Sequence, residues 1–155
     1  MENKKTKTFI FKGLGFPIKL IDVSMKKMAG EWVVDLDMNK FQLFVLKFLI
    51  SKTSPLTKDE LRFIRKYLLM TTVEFGSLFD MTHTAVSQWE NGRRNISPTL
   101  ELYIRLYVLD HLRVKDGEFR ALFRELSLEK LSEKPTGKIH TLAVDATTED
   151  LKIAL

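Results

Sequence analysis

Cysteine is absent from the 155 residues of this chain. That excludes disulfides, thiolate zinc sites, iron–sulfur clusters and cysteine nucleophiles, and it suits the reducing cytoplasm, the expected location. Long apolar runs are missing too. The longest, residues 41–50, has Gln42 and Lys47 inside it and is too short and too polar to cross a bilayer, so no membrane partner is expected. No long apolar stretch follows Lys4, Lys5 and Lys7, so no signal peptide is expected. Histidine is scarce: His83, His111 and His140 share no metal-ligand spacing, which leaves no metal site and no cofactor to expect. A Gly-x-Ser-x-Gly nucleophile elbow is lacking. Gly13-Leu14-Gly15 lacks the rest of a dinucleotide fingerprint, and no phosphate loop precedes Gly137-Lys138. An enzymatic role is therefore not expected.

What is present is a foldable composition, with 45% hydrophobic and 29% charged residues, at a length that suits one domain, or one domain with a small appendage. The net charge of +5 is unevenly placed. Residues 1–56 carry ten basic and five acidic side chains, residues 57–113 eight and seven, and residues 114–155 seven and eight. The excess is thus mostly lysine in the N-terminal third. It is compatible with a polyanion partner, and equally with a solubilising surface.

Residues 6–36 read as a small antiparallel meander. Phe9-Ile10-Phe11 runs into a Gly/Pro turn, Ile21, Val23 and Met25 alternate with Asp22 and Ser24, and Trp32-Val33-Val34 follows the Ala29-Gly30 turn. Asp37 is placed to cap a helix with Phe41, Phe44, Val45 and Phe48 at helical spacing, ending near Lys52. Ser51 to Pro55 reads as a linker. Two capping boxes follow, Thr57/Glu60 and Thr71/Glu74, each opening a helix. Asp80-Met81 is a turn, Thr82 caps a third helix to Asn91, and Gly92 suits its C-terminal cap. Ser97-Pro98 opens another helix, to about Arg113. Leu100, Tyr103, Ile104, Tyr107 and Val108 form one apolar face of it, and Leu102, Leu106 and Leu109 a second. The second face has three candidate destinations: the meander, a C-terminal helix (residues 116–131, with Phe119, Leu122, Phe123 and Leu126) or another subunit. A strand over residues 139–144 closes the pattern.

Residues 71–92 carry the functional signal: two short helices joined by a three-to-four-residue turn. At 100° per residue, Ala85, Val86 and Trp89 of the second helix can pack inward. His83, Thr84, Ser87, Gln88 and Asn91 fall within a ~140° arc on the other side. That arc is polar yet almost uncharged, where a solvated helix would carry Glu and Lys. Its side chains donate and accept hydrogen bonds as base edges require. Gly76, costing about 1 kcal/mol relative to alanine within a helix, points to close approach of the two helices.

The stretches Thr71-Thr72-Val73-Glu74-Phe75-Gly76 and Met81-Thr82-His83-Thr84-Ala85-Val86-Ser87-Gln88-Trp89-Glu90-Asn91-Gly92 resemble the Cro/C1, or xenobiotic-response-element, helix-turn-helix family. Leu61-Arg62-x-x-Arg65 fits that family's first helix. The resemblance covers residues 56–113. Two positions depart from it: Asp80 stands where the turn often has glycine, and Thr72 where the scaffold helix often has glutamine. The resemblance implies base reading by His83, Thr84, Ser87 and Gln88, phosphate contacts by Thr72, Thr82, Asn91, Arg93 and Arg94, and core roles for Val86 and Trp89.

The expectation is an α+β protein. It has a five-helix-type helix-turn-helix domain at 56–113, a small antiparallel β region plus helix at 1–55, and a C-terminal helix and tail at 114–155. Its expected function is sequence-specific binding of double-stranded DNA as a homodimeric transcriptional repressor or autoregulator. Two alternatives stand beside it: an antitoxin, similar in its DNA-binding domain to known antitoxins and holding a toxin partner through its flanks, and a protein-interaction adaptor.

Overall fold

The computed structural model describes residues 5–113, 117, 124, 131, 141–147 and 151–153. It is a mixed α and β structure. Among the described residues the order is β1 (Lys5–Phe11), β2 (Ile18–Met28), β3 (Glu31–Val34), α1 (Met38–Ser51), α2 (Lys58–Tyr67), α3 (Thr72–Leu78), α4 (His83–Glu90), α5 (Pro98–His111), β4 (Leu142–Asp145) and β5 (Lys152–Ile153). The chain forms two compact units, Met1–Val45 with Ile139–Leu155, and Leu46–Lys138, so the division falls within α1.

The first unit is built on β2. The meander expected from sequence is there: β1 and β3 both pair antiparallel with β2. The sheet is nevertheless mixed, because β4 lies parallel to β2 along Ile18–Ile21 and β5 pairs antiparallel with β4. Met25 pairs with both Lys5 and Val34, so β3 lies on the edge of β2 opposite β1. β4 shares that edge. The expected strand at 139–144 is thus found as Leu142–Asp145; Ile139 and His140 lie outside the described residues.

A bulge in β2 corrects the alternation read from sequence. The register steps from Lys7↔Val23 to Phe9↔Leu20, which inserts one extra residue on β2. Asp22 takes a left-handed φ of 51° there, donates its N–H to the Thr8 hydroxyl at 3.0 Å, and shifts the inward phase. Ile18 and Leu20 are buried before the bulge and Val23 and Met25 after it, whereas Ile21, expected inside, is only half-buried. Phe41 of α1 meets the Phe11 ring edge-on at 5.7 Å. Asp37 caps α1, its Oδ1 accepting from Asn39 N (3.0 Å) and Lys40 N (3.2 Å).

The second unit is helical. Leu49, Ile50, Leu61, Ile64, Phe75, Val86, Trp89, Ile104 and Val108 are buried. Thr57 and Glu60 form a complete capping box at α2. At α3 only half of the expected box forms: Thr71 accepts from Glu74 N, but the Glu74 carboxylate takes the Thr71 hydroxyl and not a backbone N–H. Ser97 caps α5, with Pro98 in its first turn.

α5 departs from the two apolar faces expected. Its most buried line includes Glu101 and Arg105, 1% and 0% exposed. Arg105 Nη1 donates to the Lys52 carbonyl and its Nη2 to the Ser54 carbonyl at 2.8 Å, and the Glu101 carboxylate accepts from Leu56 N. The segment read as a linker is therefore clamped by α5, since carbonyls and an N–H that would otherwise need water receive ionised partners. Leu109, placed on the second face, is buried; Leu102 and Leu106 are half-buried, and Tyr103, placed on the first face, is exposed. Of the expected C-terminal helix, Gly117, Arg124 and Leu131 are described, each helical; Phe119, Leu122, Phe123 and Leu126 lie outside the described residues.

Candidate functional site

α3 and α4 are joined by four residues, Phe79 to Thr82, and pack on each other. Backbone bonds from Met81 N to Gly76 O (2.8 Å) and from Asp80 N to Ser77 O (3.4 Å) close α3. Asp80 takes the left-handed position, φ 53°, at the site where glycine would be free of strain. Gly76 is required for a reason one step from the one expected. A Cβ there would lie 2.5 Å from the Met81 carbonyl oxygen, so the close approach is to the backbone of the turn and not to a face of α4. Phe75 and Phe79 stack edge-to-face at 5.1 Å, and Phe79 meets Tyr103 and Tyr107 of α5 at 5.4 and 5.7 Å.

α4 is capped at both ends. Thr82 Oγ1 accepts from Ala85 N at 3.1 Å, leaving the hydroxyl proton free to donate. At the far end Asn91 is the cap, Gly92 takes φ 71°, and Arg93 N and Gly92 N donate to Gln88 O (2.9 Å) and Trp89 O (3.1 Å). These bonds set the point where Arg93 and Arg94 leave the helix.

Ala85, Val86 and Trp89 are buried, which turns the opposite side outward. His83 and Thr84 are exposed there, and Ser87 and Gln88 half-buried beside them. Thr82, Asn91, Arg93 and Arg94 are exposed at the two ends of the same helix. These eight residues lie on the outward side of α4 or at its two ends. Thr72 stands apart: it is half-buried at the start of α3, and among the described residues no hydrogen bond joins it to α4. Asn91 is already engaged, donating from Nδ2 to Ser87 Oγ at 3.3 Å and accepting from Arg62 at 3.3 Å.

Arg65, Arg62 and Glu90, not assigned a site role from the sequence, position this surface. Arg65 of α2 donates from Nε and Nη2 to the two carboxylate oxygens of Glu90, at 2.7 and 3.2 Å, and from Nη1 to Met70 O at 2.9 Å. Arg62 donates to Glu90 O at 3.0 Å. The C-terminus of α4 is thereby fastened to α2. A signal for this was available: Glu90 ends a helix, where a carboxylate opposes the helix dipole and calls for a cation nearby. Lys58, at the start of α2, runs past Gly92, its Cδ 3.3 Å from where a Cβ would stand. It adds a third cationic side chain to the end where Arg93 and Arg94 emerge.

Among the described residues no group of His, Asp and Glu is arranged to hold a metal ion, and no helix is long and apolar enough to cross a membrane. No protein-family model, no curated protein and no solved structure matches the chain.

Proposed function

We propose that this chain binds double-stranded DNA sequence-specifically, through a helix-turn-helix of the Cro/C1 kind formed by α3 and α4, and acts as a transcriptional repressor or autoregulator. The observation that carries the reading is the outward face of α4. It offers hydroxyl, amide and imidazole groups on a helix capped at both ends and fastened by Glu90. Such a face suits the donor and acceptor pattern of a major groove, and the flanking Thr82, Arg93 and Arg94 suit phosphates on either side. Gln88 is suited to a bidentate contact with adenine, because its amide both donates and accepts.

One such helix reads only a few base pairs. We therefore assign the DNA-bound state as a homodimer on a two-fold symmetric site, with half-site centres about 34–36 Å apart or a multiple of that. Selection of bound sequences from a random duplex pool tests both statements. An enriched palindrome with one protein copy per half-site is expected. A pool that stays random after repeated rounds would sink the proposal, and an enriched site without two-fold symmetry would sink the dimer.

A further inference from the structure

The sheet carries a charge arrangement that its own packing does not explain. Cross-strand partners share a face. Lys5 is paired with Met25, Lys7 with Val23, and Trp32 with Lys27. Met25 and Val23 point into the core, and Lys27 follows Met25 at the strand period of two, so Lys5, Lys7, Lys27 and Trp32 all belong to the inward-facing side of the sheet. On this side the three lysines are exposed and Trp32 is 36% exposed. Lys5 Nζ lies 5.6 Å from the centre of the Trp32 ring, so the indole holds that ammonium in place.

The opposite side is different. There Lys26 is neutralised by Asp35 at 3.3 Å. Among the described residues no salt bridge involves Lys5, Lys7 or Lys27. On the Trp32 side Lys5, Lys7 and Lys27 are exposed and form no salt bridge among the described residues, with Lys5 over the Trp32 ring and Lys7 Nζ 5.5 Å from the centre of the Phe9 ring. Edge lysines guard a sheet against pairing with another chain, and Lys5 and Lys7 on β1 fit that duty. Lys27, on β2, is paired with Trp32 of β3.

We infer that Lys5, Lys7 and Lys27, on the side of the sheet that carries Trp32 and Phe9, form a phosphate-binding surface that grips the DNA backbone independently of sequence. The inference rests on the DNA-binding function proposed above and adds a second grip to it, on a different unit of the fold. The partner is identified by charge complementarity. Three exposed ammonium groups that form no salt bridge among the described residues match a row of phosphates, and their flexible stems match no particular base.

The test uses the full chain with K5Q/K7Q/K27Q. Affinity is measured across a range of salt for the selected duplex and for an unrelated duplex, with thermal unfolding as the check on folding. The triple variant should bind both duplexes more weakly by the same factor. The slope of log affinity against log salt should flatten by about 0.9 for each phosphate no longer neutralised, up to about 2.7. K5R/K7R/K27R, which keeps the charge, should bind as the wild type does. A K5Q/K7Q/K27Q variant with unchanged affinity and slope overturns the inference while the DNA reading of α4 stands. Loss of binding to anionic phospholipid vesicles with duplex binding intact also overturns it, in favour of a membrane surface. A wild-type chain that holds no duplex at any salt overturns the proposed function and this surface together.

Discussion

Arg65 and Glu90 meet through two parallel N–H···O bonds, 2.7 and 3.2 Å long, with their side chains only 13% and 5% exposed. This pair joins α2 to the last residue of α4, so the outward face of α4 owes its orientation to a residue 25 positions upstream. Removing one partner leaves the other charge buried and unpaired, which costs about 3–5 kcal/mol, more than the net worth of the intact pair. Arg65→Ala should lower stability by about that amount in urea unfolding. A loss below about 1 kcal/mol would mean that the pair is effectively solvated.

Gly76→Ala should destabilise the helical unit although alanine is the better helix former by about 1 kcal/mol. The new methyl would stand 2.5 Å from the Met81 carbonyl oxygen, a backbone atom that cannot swing away. Overpacking of this kind costs about 1–3 kcal/mol. Ser77→Ala, one residue on and exposed, is the control and should be neutral or slightly stabilising. Equal behaviour of the two variants would show that the turn can relax at no cost.

The left-handed positions predict opposite signs. Leu69 closes α2 at φ 56° with its side chain 90% exposed, so it carries the strain of a Cβ in that region and buries almost nothing. Leu69→Gly relieves about 1–2 kcal/mol of strain against about 0.5–1 kcal/mol of added backbone freedom when unfolded, and should raise the thermal midpoint. Gly92→Ala imposes the same strain at φ 71° and should lower it. Midpoints moving in the same direction in both variants would contradict this account.

Stability should respond to acid through Glu101. Burial raises its carboxyl above the ordinary value of 4.5, opposed by Arg105, the Leu56 N–H and Lys52, with Glu60 adding to the rise; burial also lowers the Arg105 guanidinium. A raised folded value means that the native state holds the proton more tightly than the unfolded chain. Its stability contribution is full below 4.5 and is lost as pH rises through the raised value. The difference between wild type and Glu101→Gln should therefore shift in favour of the wild type as pH falls from neutral towards 4.5. Parallel stability curves for the two proteins would remove Glu101 as the titrating group.

On DNA, Gln88→Ala should cost about 1–3 kcal/mol on the selected site and much less on random duplex, because it removes a base contact and leaves the fold. Arg93→Ala or Arg94→Ala should weaken both duplexes alike and flatten the salt slope by about one unit. Trp89→Ala, at a side chain 4% exposed, should instead unfold the unit, at about 3–5 kcal/mol. Identical, sequence-independent losses for Gln88→Ala and Arg93→Ala would show that α4 reads no bases.

Local rules were enough to locate α2 to α5 and the caps at Thr57, Thr82, Ser97 and Gly92. Those signals act within four residues, through side chains that satisfy backbone groups at helix ends. The inward and outward sides of α4 were legible for the same reason, since helical period and polarity agree over residues 83–91. Three features depended on the tertiary structure. The phase of β2 turned on a bulge, which one extra residue and the Thr8–Asp22 bond create and no period of two can announce. The parallel pairing of β4 with β2 joins residues more than a hundred positions apart, and parallel strands carry no turn signal between them. The buried charges of α5 and the Arg65–Glu90 pair were hidden because ionised side chains read as solvent-facing until a partner is in place. Arg105 and Glu101 can be buried only where residues 50–56 present carbonyls and an N–H to receive them, and only the folded chain brings these together.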